Sequence, residues 1–99
     1  MIVVRNVFRL KFGKAKEAVA LLKECIAIQK RAGVDMNQRM MTDLVGTFYT
    51  LVLELTVPSM AALEADMPKV WADKDWQSYY QKFSALVESG YREIFTIVE

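Results

Sequence analysis

Six side chains combine a polar group or a large ring with a place on an otherwise apolar stretch: Asn6, Gln29, Trp71, Trp76, Tyr79 and Tyr80. Asn6 interrupts the alternation Ile2, Val4, Phe8, Leu10, Phe12. An amide among such neighbours costs free energy unless it is hydrogen-bonded. It therefore either bonds nearby backbone or faces a cleft and orients a ligand. Gln29 lies near the centre of an apolar helical arc with Ala18, Leu22 and Cys25. From there it either reaches the same cleft or lies partly exposed in the last helical turn. Trp71 and Trp76, five residues apart, serve as core rings or as pocket walls. Tyr79 and Tyr80 fall on a helical stripe. Such residues are commonly core, but a hydroxyl facing a cleft can orient a polyphenolic substrate or donate a proton.

The rest of the chemical repertoire is narrow. The chain has no histidine, which removes imidazole acid–base catalysis, the Ser-His-Asp triad, the usual zinc sites and His-ligated haem. Cys25 is the one cysteine, so neither an intrachain disulfide nor a Cys-rich metal site can form. Its arc supplies no base or cation to activate the thiol, and a buried, inert Cys25 is expected. No metal and no cofactor is expected. Lys16, Lys23 and Lys30 form a stripe at seven-residue spacing, which reads as a solvated helix face. Met36, Met40 and Met41 gather around one short strand, where flexible side chains fill interface gaps.

The elements that must position these residues follow from periodicity. Residues 2–12 alternate and predict a strand. Residues 14–32 carry apolar side chains on one arc at about 100° per residue and predict a helix closed by Gly33. No Ser, Thr, Asp or Asn caps its start. Residues 36–44 predict a weaker strand, Val45-Gly46 a tight turn, and residues 47–57 a strong β-branched and aromatic strand. Ser59 caps a helix from Met60 to about Asp66, which Pro68 is expected to interrupt. A further helix is expected from about Asp75 to Ser89, ended by Gly90, and a last strand over 91–98. The order β-α-β-β-α-β with a broken second helix predicts an α+β, ferredoxin-like domain, a four-stranded antiparallel sheet with helices on one face.

At 99 residues, 54% of them hydrophobic, the chain reads as one domain over 1–99, outside the disordered range. The net charge of +1 argues against a nucleic-acid partner. Residues 1–50 hold nine basic and four acidic side chains and residues 51–99 hold four and eight, which implies two differently charged faces. No apolar run approaches the ~18 residues of a membrane span. Arg5, Arg9 and Lys11 break up the opening segment, so no signal peptide and a cytoplasmic location are expected. The uncovered sheet face would carry Phe48, Val52, Val3 and Val7 among Arg5, Arg9 and Glu54. Leaving it in water is unfavourable at about 25 cal/mol per Å² of apolar surface. A twofold homodimer packed sheet to sheet is expected, with Arg5 or Arg9 pairing Glu54 or Asp43 inside the joint.

Four segments, LKFGKAKEAVALLKE (10–24), MTDLVGTFYTLVLE (41–54), SMAALEADM (59–67) and SGYREIFTIVE (89–99), resemble NIPSNAP-like members of the dimeric α+β barrel superfamily. More distantly, the chain is similar to antibiotic-biosynthesis monooxygenases. The resemblance covers nearly the whole chain and contains no catalytic signature. It implies two ferredoxin-like subunits whose sheets close into a barrel. It also implies that Asn6 resembles a first-strand Asn facing the cleft in the monooxygenases, and that Trp71 or Trp76 resembles a pocket Trp of haem-degrading and quinone-forming relatives. The His that ligates iron in haem-degrading relatives has no counterpart here. Fold alone does not choose among such activities.

The expected function is a NIPSNAP-like homodimer binding a small apolar or aromatic ligand between sheet and helices, through Asn6, Gln29, Trp71, Trp76 and Tyr80. The alternatives are a cofactor-independent monooxygenase or isomerase acting on an aromatic or polyketide-like substrate through Asn6, Trp71 and Tyr79, and a protein-interaction module recruiting partners through its charged helices.

Overall fold

The computed structural model describes all of residues 1–99. Its elements are β1 (Ile2–Leu10), α1 (Ala15–Arg31), β2 (Arg39–Thr42), β3 (Thr50–Val57), α2 (Met60–Trp71), α3 (Lys74–Ser84) and β4 (Val87–Thr96). The four strands form one antiparallel sheet in the order β2-β3-β1-β4. This is the ferredoxin-like βαββαβ arrangement with its second helix in two pieces.

Strand pleating divides the sheet into two faces. Val4, Phe8 and Leu10 of β1 and Leu51, Leu53, Leu55 and Val57 of β3 point to the helices. They join Ala18, Leu22, Cys25, Leu63, Val70 and Phe83 in one core cluster or pack against it. Phe8 meets Phe83 of α3 edge-on at 5.1 Å between ring centres. The opposite face carries Val3, Arg5 and Val7, which stand across from Thr56, Glu54 and Val52 of β3 and from Phe95, Glu93 and Tyr91 of β4. On this face Glu54 receives Arg39 at 2.7 Å and Arg5 at 3.6 Å, and Arg5 also approaches Glu93 at 3.9 Å. Tyr91 and Phe95 are at least half exposed there. No helix is long and apolar enough to cross a membrane.

Several boundaries differ from the sequence expectations, each for a local reason. The second strand is only Arg39–Thr42 and the third begins at Thr50, because residues 43–49 form a longer loop than a Val45-Gly46 turn. Asp43 closes that loop by accepting from Thr50 N at 2.9 Å while its own N–H donates to Thr50 O at 3.1 Å. Phe48 is therefore a loop residue, 71% exposed, and sits beside Phe12 rather than on the open sheet face. Pro68 does not stop the preceding helix. It forfeits one backbone donor, but Val70 is fully buried and the last turn continues to Trp71. The break falls at Ala72-Asp73, where Asp73 Oδ1 accepts from the backbone N–H groups of Asp75 and Trp76 at 2.9 and 3.0 Å and starts a new helix. That helix ends at Ser84, and Gly90 lies within β4 instead of capping it. Opposite Phe8, a Cβ at Gly90 would stand 2.8 Å from Val7 O, so the two backbones pass too closely for any other residue.

Candidate ligand-binding cleft

Between the helix-facing side of the sheet and α1, α2 and α3 lies a cavity of about 530 Å³. Its floor is Val4, Asn6 and Phe8 of β1 with Leu53 and Leu55 of β3. Leu22, Cys25, Ile26 and Gln29 of α1 form one wall. Met60, Leu63, Glu64, Met67 and Trp71 of α2 form another, and Trp76 and Tyr80 of α3 close the third side. Gln38 and Arg92 complete it. Thirteen of these 18 residues are hydrophobic, so the space is apolar with a few polar groups set into it.

The polar groups are held by strand register and helical spacing. Asn6 and Arg92 are directly opposed in the β1–β4 pair. Arg92 Nε donates to Asn6 Oδ1 at 2.7 Å. Arginine only donates, which fixes the amide orientation and leaves Asn6 Nδ2 as the free donor. At the end of α1, Gln29 is only 5% exposed. Its Oε1 accepts from Gln38 Nε2 at 2.7 Å and its Nε2 donates to Met36 Sδ at 3.3 Å, so both ends of a buried amide are satisfied. On α3, the indole of Trp76 stacks on the ring of Tyr80 at 4.8 Å with 10° between planes, a flat aromatic wall. The four-residue spacing of Trp76 and Tyr80 puts both rings on one helix face.

Of the residues singled out from the sequence, the structure brings Asn6, Gln29, Trp71, Trp76 and Tyr80 to this one cavity. Tyr79 is not among its walls; Lys82 Nζ lies 5.7 Å from the centre of its ring, and the helical rotation that directs Tyr80 to the cleft turns Tyr79 aside. Both tryptophans line the space, Trp71 from its half-exposed place at the end of α2. Cys25 is 2% exposed, and burial pushes its thiol up to about 11, with Glu24 adding to the rise and a backbone hydrogen bond opposing it. It is a wall of the cavity, not a nucleophile. No three His, Cys, Asp or Glu side chains converge in a way that would hold a metal ion.

Arg92 and Glu64, the cavity's only charged walls, were missed by sequence reading. Arg92 sits on β4, whose pairing with Asn6 is a long-range register. The signal available was its alternation with Gly90, Ile94 and Thr96 on a strand that carries Tyr91, Glu93 and Phe95 on its other side.

A sequence model of the NIPSNAP family matches residues 4–99. This chain belongs to the NIPSNAP family. Among solved structures, it is similar to a NIPSNAP family protein from Agrobacterium tumefaciens, at 23% identity and a TM-score of 0.87, over 99% of this chain and 93% of that one. It also resembles an uncharacterized NIPSNAP domain protein from Burkholderia xenovorans, at 18% identity and a TM-score of 0.82, over 99% and 95%. SnoaB, a cofactor-independent oxygenase from Streptomyces nogalater, is similar at 13% identity and a TM-score of 0.74, over 99% and 93%. These likenesses concern the fold. No curated protein matches the chain. As a NIPSNAP protein, its neighbours in structure are mainly proteins without an assigned activity, with oxygenases beyond them.

Proposed function

We propose that this NIPSNAP protein is a homodimer of single-domain subunits, each binding a small apolar or aromatic molecule in the cleft between sheet and helices. The observation that carries this reading is the cavity itself. About 530 Å³ lies within the ~300–1,000 Å³ usual for small-molecule sites, and a largely apolar lining with a few fixed polar groups is their common chemistry. The stacked Trp76 and Tyr80 rings offer a planar ligand a matching surface. The dimer rests on the open sheet face, where Val3, Val7, Tyr91 and Phe95 surround the Arg5–Glu54–Arg39 ion pairs. Packing two such faces removes apolar area from water. A cytoplasmic location suits a lone buried thiol.

The test uses an uncharged aromatic probe, 2-naphthamide, in isothermal titration calorimetry. Ile26 is partly exposed on the α1 wall, so Ile26→Trp should fill the cleft without overpacking the core. Binding to the native protein with a loss of about tenfold or more in Ile26→Trp supports the reading. Equal binding to both would place the probe elsewhere and defeat it.

A second reading is a cofactor-independent oxygenase, favoured by the likeness in fold to SnoaB and by Asn6, Trp71 and Tyr80 sharing one apolar cleft. In such chemistry the substrate supplies the electrons and the protein supplies orientation and exclusion of water. Asn6→Ala and Trp71→Ala separate the two readings. Loss of oxygen uptake on a hydroxylated polycyclic substrate with binding retained favours the enzyme; no uptake by the native protein favours the binder.

A further inference from the structure

We infer that the ligand of this cleft is an apolar or aromatic acid whose carboxylate is received by Arg92. This rests on the reading of the cavity as a small-molecule site and goes beyond it by assigning the head group.

The chain has five arginines. Arg5, Arg31 and Arg39 each face a carboxylate of the protein, at 3.6, 4.0 and 2.7 Å. Arg9 and Arg92 face none. Arg9 belongs to the other side of the sheet, whereas Arg92 is part of the cleft wall. Its guanidinium is anchored through Nε to Asn6 Oδ1 at 2.7 Å. One edge is thereby occupied, and the two Nη groups keep the donors that match the oxygens of a carboxylate. Asn6 Nδ2 adds a further donor beside them. An anchored fork loses less freedom on binding than a free arginine side chain does.

Orientation comes from Glu64. It lines the same cleft from α2 and meets no cation of the chain. α2 packs on β3, while Arg92 stands on β4 beyond β1. A carboxylate is repelled from the α2 side and attracted to the β4 side. Its apolar body then runs under the helices, toward Leu63 and the Trp76–Tyr80 rings. Arg92 and Glu64 are both exposed, so the head group sits at the mouth of the cleft, where salt reaches it.

The experiment compares three probes with one ring system: 2-naphthoate, 2-naphthamide and 2-naphthylmethylamine. Each is titrated calorimetrically into the native protein and into Arg92→Gln. The native protein should prefer the acid over the amide by about tenfold or more, as a charge-assisted hydrogen bond provides. Arg92→Gln should abolish that preference by weakening the acid more than the amide. Arg92→Lys should keep part of it, because a point charge remains without the fork. Rising salt should weaken the acid and spare the amide. That comparison needs only the native protein and decides the matter if a variant fails to fold. Equal affinity for acid and amide, a preference for the amine, a preference that survives in Arg92→Gln, or an acid affinity indifferent to salt would each overturn the assignment, with the cleft still a binding site. If none of the three probes binds, the cleft reading falls with it.

Discussion

Asn6 and Cys25 show how differently two polar side chains are treated by one cavity. Asn6 stays partly accessible, and its carbonyl oxygen holds Arg92. Asn6→Ala should therefore cost little stability, about 0.5–1.5 kcal/mol for one lost hydrogen bond, while releasing the guanidinium. Thermal unfolding measures the first effect, and a reduced acid-over-amide preference in calorimetry measures the second. Cys25 is sealed against α1's neighbours, and burial raises its thiol from 9.0 to about 11. The unfolded chain thus ionises this thiol first. The stabilisation it contributes is complete below pH 9 and is lost progressively as pH rises from 9 to 11. Denaturant unfolding of the native protein and Cys25→Ala should show their stability difference shifting over that window, against the native protein. At neutral pH the folded thiol should resist iodoacetamide, and denaturant should expose it. The place of Asn6 in the cleft and the burial of Cys25 were legible in the sequence, because both follow from a polar group's place in a period. Arg92 was not, since nothing local reveals which residue of a distant strand will stand opposite Asn6.

Helix and strand termini were decided by side chains that propensity underweights. The start of α3 depends on Asp73, which accepts from two successive backbone donors. Asp73→Ala should cost about 1 kcal/mol and loosen the Trp76–Tyr80 wall, visible as a lower thermal midpoint and weaker binding of an aromatic probe. Gly90 reads as a helix stop in sequence, yet it occupies β4, where only the absence of a Cβ lets the strand pass Val7 O. Gly90→Ala should cost about 1–3 kcal/mol through overpacking, measured by chemical denaturation. Pro68 shows the opposite: a residue expected to break a helix is carried through because the turn beyond it buries Val70. Propensity ranks local choices, and burial of one large side chain outweighs them.

For the molecule as a whole, the open face of the sheet is the decisive surface. Tyr91 and Phe95 are at least half exposed on a face that also carries Val3 and Val7. In the proposed homodimer these side chains are covered. Analytical ultracentrifugation should find a species of twice the 11.4 kDa chain mass. Phe95→Asp should return it to one chain mass with little loss of subunit stability, because the ring is half exposed in the subunit. A native protein that sediments as one chain would refute the joint.

Alternation and helical periodicity were enough to indicate element order, the ferredoxin-like sheet and which side of β1 faces the helices, because both patterns are local consequences of backbone geometry. They also brought out five of the residues that line the cleft, since a polar group or a large ring within an apolar period is visible in one dimension. Tertiary structure alone decided that a cavity remains between those residues, that Phe8 meets the ring of Phe83, and that Arg92 meets Asn6. The reason is physical: cavity volume, ring contacts and cross-strand partners depend on how elements far apart in the chain approach one another, and no local period encodes that distance.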